Sequence, residues 1–169
     1  LAKKLGLKNQ RPLIPTPAGY GIGVVGETDL TMLEVAAALD VAIPQTVTGI
    51  RGTGDFSTPV KKIAICAGAG DSYLQDALDS GADLYITSDL RHHPALEIRE
   101  QAKARGIEFH LMDIPHWAAE FVWLEQARRD LESTGLAIEI CDIRTDVFDY
   151  LINLPPQDDL LEEDEDELG

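Results

Sequence analysis

His116-Trp117-Ala118-Ala119-Glu120 sets an imidazole and a carboxylate four residues apart. On a helix that spacing puts both side chains on one face, close enough to grip one cation. Two donors do not fill the coordination sphere of zinc or iron, so a metal held there needs further ligands from elsewhere. A structural reading competes, in which Glu120 pairs with Arg91 or Arg128 and His116 merely caps its helix. The same face continues through Trp123 or Leu124, Ala127 and Leu131. Read as the inward stripe, it points Glu120 at the core, where an unpaired carboxylate is costly.

Other polar groups gather after three apolar runs. Gly68, Gly70, Asp71 and Ser72 follow the first, and Ser88, Asp89, Arg91, His92 and His93 the second. Asp113, His116 and Glu120 follow the third. His92-His93-Pro94 reads either as a loop or helix-entry pair or as a second ligand pair. His110 falls within a strand and reads as packing. Gly68-Ala69-Gly70 lacks the third glycine of a dinucleotide fingerprint, since Tyr73 holds that place, so a Rossmann cofactor site is excluded. No nucleophile elbow, Ser-His-Asp arrangement or P-loop is present.

The elements that must position these residues alternate. Residues 60–66, 83–89, 107–112 and 137–142 read as strands, the first as a continuous apolar run buried on both faces. Helices are expected over 73–80, 94–104 and 116–133, with Gly81 and Gly135 at their ends. Upstream, residues 1–7 read as helical, 19–26 as a glycine-laced strand, and 47–51 as a short strand. A helix through 30–39 is capped by Thr28 or Asp29. The pattern predicts an α/β layered sandwich, with a largely parallel mixed sheet flanked by helices. Three stretches are expected: a connecting strand and helix region over 1–58, an α/β half carrying the site over 59–154, and an acidic, disordered tail over 155–169. In open parallel sheets ligands bind outside the carboxyl ends of the strands, where all three polar clusters fall.

The 169 residues carry 14 Lys+Arg against 30 Asp+Glu, a formal charge of −16. Eight of the carboxylates lie between Asp158 and Gly169, which leaves a body of about −8. That sign repels phosphate backbones and argues against non-specific nucleic-acid binding. With 44% apolar residues the chain has material for a core, and no apolar run reaches the roughly 18 residues of a membrane span. Cys66 and Cys141 are too isolated for a disulfide framework or a thiolate zinc site and read as buried, reduced packing residues. The expected compartment is the cytoplasm. Beginning at Leu1 within a helical stretch, the sequence reads as part of a longer protein.

Taken in order, several stretches resemble the carboxy-terminal half of the type 2 GTP cyclohydrolase I homologues, the Nif-three-like family. They are Arg11-Pro12-Leu13, the run from Gly21 to Glu27, the run from Val60 to Gly70, the run from Ala82 to His93, and Asp113-Ile114-Pro115-His116-Trp117-Ala118-Ala119-Glu120. The resemblance implies a homohexamer with two divalent ions (zinc, iron or manganese) in a cleft. It implies that His116 and Glu120 are metal ligands, and that a His-His-Pro pair and an Asp from outside this chain complete the site. His92-His93-Pro94 is not that pair, because it follows the second strand of this half. Two readings of function follow. One is a metal-binding protein without catalysis. The other is a metal-dependent hydrolase acting on a nucleotide-like or phosphorylated substrate, with Asp89, His93 or Asp113 as acid–base groups.

Overall fold

A computed structural model describes residues 1–152, and the expected acidic tail over 155–169 lies outside the described residues. The described chain builds six strands: β1 (Lys8–Pro15), β2 (Gly21–Thr31), β3 (Arg51–Gly52), β4 (Pro59–Ala69), β5 (Leu84–Ser88) and β6 (His110–Asp113). Its helices are α1 (Met32–Ala42), α2 (Leu74–Asp79), α3 (His92–Ala104) and α4 (His116–Leu131). All six strands form one sheet in the order β1-β2-β4-β5-β6-β3.

The parallel part is the centre. β4 pairs with β5 and β5 with β6, both parallel, and the crossovers between them carry α2 and α3. β1 and β2 add an antiparallel flank on one side, and β3 pairs antiparallel with β6 on the other. The expected mixed α/β sandwich is therefore present, and its antiparallel share comes from the first 52 residues. These belong to the same sheet as the remainder.

Two cores cover the two faces. Met32, Val35 and Leu39 of α1 and Ala118 and Ala119 of α4 pack on Ile63, Ile65, Leu84, Ile86 and Met112. On the other face Leu74 and Leu78 of α2 and Ile98 and Ala102 of α3 pack on Ala64, Cys66, Tyr85 and Leu111. Side chains alternate across each central strand, as a sheet buried on both faces requires.

Several expectations are corrected. Residues 1–7 form turns, not a helix. No strand forms over 137–142, although Ile138 and Ile140 are half-buried on a common face. β3 takes the side of β6 that the next strand in chain order would have taken. Cys141 is consequently exposed, whereas Cys66 is buried as expected and burial raises its thiol pKa. β1 had no sequence reading as a strand, and it supplies one edge of the sheet. Among the described residues no helix is long and apolar enough to cross a membrane.

The start of α1 is also shifted. β2 runs on to Thr31, which caps the helix in place of Thr28 or Asp29. The Glu34 N–H donates to Thr31 Oγ1 at 3.4 Å and the Thr31 N–H to Glu34 Oε2 at 2.7 Å, a reciprocal capping box. The Thr31 backbone bond, ahead of its hydroxyl, lowers the Glu34 pKa. A carboxylate lowered in the folded state stabilises it above the unfolded pKa, and this contribution is lost as pH falls through the folded value. Thr31→Ala is expected to cost about 0.5–2 kcal/mol in urea melts at neutral pH. Glu34→Gln should flatten the acid limb of stability below about pH 4, and an unchanged limb would dismiss the capping role.

Candidate metal centre

The C-terminal ends of β5 and β6 open side by side into a cleft of about 680 Å³. That volume lies within the roughly 300–1,000 Å³ of small-molecule sites. Asp89 follows β5 directly. Asp113 ends β6, and His116 begins α4 three residues later. Pro115 immediately precedes that helix, and no side chain caps it, so the His116 ring stands at an open helix mouth.

His116 is held from both sides. Its Nδ1 lies 2.6 Å from Asp89 Oδ2, and its Nε2 lies 3.1 Å from Glu120 Oε1. The hydrogen bond to Asp89, foremost, raises the His116 pKa, while partial burial opposes the rise. A histidine whose Nδ1–H is taken by a carboxylate presents Nε2 as its ligating nitrogen, the usual support of a metal-bound imidazole. Asp89 adopts φ 56° to make this contact, a left-handed conformation that Asp tolerates better than most residues.

The third wall is backbone. Gly68 has φ +80°, and a Cβ there would come within 2.9 Å of Glu120 Oε1 and 3.3 Å of His116 Nε2. The loop around it is tied to β5: Thr87 Oγ1 donates to the Gly68 carbonyl at 3.0 Å, and the Tyr85 hydroxyl to the Gly70 carbonyl at 2.9 Å. Tyr85 and Thr87 are wholly buried, so the loop rests on the core itself.

Glu120 does not point at the core. Its side chain is 61% exposed, because the stripe of α4 that faces the sheet is Ala118 and Ala119 with Trp117 and Val122 beside them. Small residues let the helix lie close to the sheet and leave the carboxylate at the rim. Neither arginine in the structural alternative reaches it. Arg91 pairs with Asp71, and Arg128 with Glu125 and Glu132.

The acid–base candidates separate. Asp89 stands against the His116 ring. Asp113 lines the same cleft, but Arg51 pairs with one of its oxygens and the Leu90 N–H donates to the other at 3.3 Å. His93 lies outside the cleft, in the first turn of α3, with its ring edge-on to His92. His110 is buried beneath Gly54 as a packing residue, and neither ring nitrogen has a hydrogen-bond partner. Arg51 was missed as a site residue because only the pairing of β3 with β6 brings it there. The role of Gly68 was also hidden, since no side chain marks it.

The donor set suits a divalent cation: a neutral-capable imidazole nitrogen oriented by Asp89, a carboxylate beside it, and room kept by a glycine. It is a partial set. Among the described residues no three His, Cys, Asp or Glu side chains gather closely enough to hold a metal ion.

Comparisons with known proteins agree with this architecture. A "GTP cyclohydrolase 1 type 2 homolog" of Mycobacterium leprae (strain TN) is 41% identical over 139 residues, 79% of this chain and 35% of the relative. The homologue so named from Streptomyces coelicolor is 37% identical over 138 residues, 78% of this chain and 47% of the relative. The chain thus spans between about a third and a half of these curated relatives. Among solved structures, Staphylococcus aureus protein SA1388 superposes with a TM-score of 0.68 at 25% identity, covering 89% of this chain and 63% of that one. A Bacillus cereus protein related to NIF3 superposes at 0.58, also at 25% identity, covering 78% and 36%. The sequence model of Duf34/NIF3 (NGG1p interacting factor 3) matches residues 1–147, and the chain belongs to that family.

Proposed function

We propose that this chain supplies one side of a two-metal site, with His116 and Glu120 as ligands and Asp89 holding the imidazole. The remaining ligands come from outside it. The observation that carries this reading is the orientation of His116, whose Nδ1 is engaged by Asp89 while Nε2 faces Glu120 over the bare Gly68 backbone. Zinc bonds of about 2.0–2.2 Å to nitrogen and oxygen can be made from such neighbours. Elemental analysis of the purified full-length protein and of its His116→Ala variant tests it. Stoichiometric zinc, iron or manganese, lost in the variant while its circular dichroism is kept, is the expected result. Glu120→Gln should lower metal content too. Equal metal in all three proteins would reduce the site to a hydrogen-bonded histidine.

A second reading adds catalysis: a metal-dependent hydrolase acting on a nucleotide-like or phosphorylated substrate. The size of the cleft and the printed name of the relatives, "GTP cyclohydrolase 1 type 2 homolog", support it. Bound metal would polarise the substrate and lower the pKa of water, and Asp89 is the carboxylate placed against the His116 ring. Turnover across a nucleotide and phosphoester panel should track metal content. A filled site without turnover favours metal binding alone. The same reading includes assembly as a homohexamer, which light scattering of the full-length protein tests, and a reducing cytoplasmic location, consistent with two free cysteines.

A further inference from the structure

Residues 145–148, a stretch without regular structure, line the same cleft as His116. Within it Asp146 is only 9% exposed at its side chain. Its Oδ2 is buried without a hydrogen-bond partner. The ion pair it makes with Arg144 is too long for a hydrogen bond. Arg144 Nη1 stands 3.7 Å away and donates instead to the Phe148 carbonyl at 2.8 Å, while Nη2 donates to Asp149 at 3.1 Å. A carboxylate withdrawn from water with an unused acceptor is costly unless a donor arrives. Phe148 beside it is 56% exposed, and Trp117, half-buried with its ring 5.2 Å from that of Phe121, lines the cleft as well.

We infer that residues 145–148 form a recognition wall, with Asp146 accepting an N–H from a flat, uncharged heterocycle that lies against Phe148 and Trp117. A carboxylate accepts N–H donors more strongly than a neutral oxygen does, and exposed aromatic side chains are suited to stacking a planar ring. The charge of the cleft selects the same end of a ligand. Asp89, Asp113, Glu120 and Asp146 face it against Arg51 and His116, so a bare anion is repelled from this wall while an uncharged ring with N–H groups is not. Asp146 joins no metal-holding group of three among the described residues. The inference rests on reading the cleft as the functional site, but not on its being loaded with metal.

Calorimetric titration of the full chain, as purified and again after EDTA, tests this with three uncharged probes: adenosine, guanosine and purine riboside. The last has the same ring system without an N–H on its base. Adenosine or guanosine should bind at least about tenfold tighter than purine riboside, equivalent to about 1.4 kcal/mol. Asp146→Leu should erase that preference and leave purine riboside binding unchanged, and Asp146→Asn, which retains an acceptor, should fall between. No saturable binding of either aminated nucleoside, or a preference that survives Asp146→Leu, overturns the inference. So does loss of manganese binding in both variants with the nucleoside preference intact, which makes Asp146 a metal ligand. The EDTA arm keeps a failure of metal loading in the His116→Ala comparison separate from a failure here.

Discussion

Gly70→Ala is expected to lower the thermal midpoint by at least about 6 °C, at about 2–4 °C per kcal/mol for a domain of this size. The cause is a collision rather than backbone strain, because Gly70 has an ordinary φ of −120°. A Cβ at that position would run into Thr87 Oγ1 and lie 2.5 Å from the Tyr85 hydroxyl. Both are anchored on a central strand and fully buried, so neither can swing into solvent. Forcing extra volume into such a site costs about 1–3 kcal/mol. Displacing the Tyr85–Gly70 and Thr87–Gly68 bonds adds about 1–3 kcal/mol for each buried group left unpaired. Combining Gly70→Ala with Thr87→Ala removes one obstacle, so the pair should cost less than the sum of the single changes. A midpoint within 1 °C of the parent, a threshold set well below the roughly 2–4 °C per kcal/mol scale, would show that the loop yields and is not clamped.

Asp89→Gly should separate stability from metal affinity. The position sits at φ 56°, a left-handed conformation that costs a non-glycine residue on the order of 1–3 kcal/mol. Glycine relieves that cost and also removes the carboxylate from His116 Nδ1. Denaturant melts should show the variant no less stable than its parent, while metal affinity falls about 10–100-fold, the usual effect of losing the partner of a ligating histidine. Asp89→Asn keeps a hydrogen-bond acceptor there and should lie between the two in affinity. Stability and affinity falling together would mean that Asp89 serves the fold and not the site.

The central sheet was legible because its strands obey simple rules. Residues 60–66 are continuously apolar, and a strand buried on both faces has no other pattern. Gly81 and Gly106 end their helical stretches with φ of +75° and +67°, the conformation glycine supplies at a helix end. The edges were less legible, since pairing and not composition decides them. β1, with four exposed residues at its start, carries little apolar alternation and exists because β2 is beside it. Residues 137–142 show the opposite case, alternation without a partner. At the site, the spacing of His116 and Glu120 placed them together correctly, but treating their whole face as apolar pointed Glu120 inward. Ala118 and Ala119 outcompete it for the sheet. Arg51 and Asp146 are 62 and 33 residues from Asp113 in sequence, distances over which local patterns carry no information about contact.

The antiparallel bond between β3 and β6 also sets an order of events during synthesis. Arg51 leaves the ribosome 62 residues before Asp113, an interval of about 3–12 s at ordinary elongation rates of 5–20 residues per second. Until β6 arrives, the β3 strand has no partner and His116 has not been made. Cleft assembly is therefore a late, long-range closure, and a nascent chain offers no formed cleft to any ligand until most of its sheet is complete.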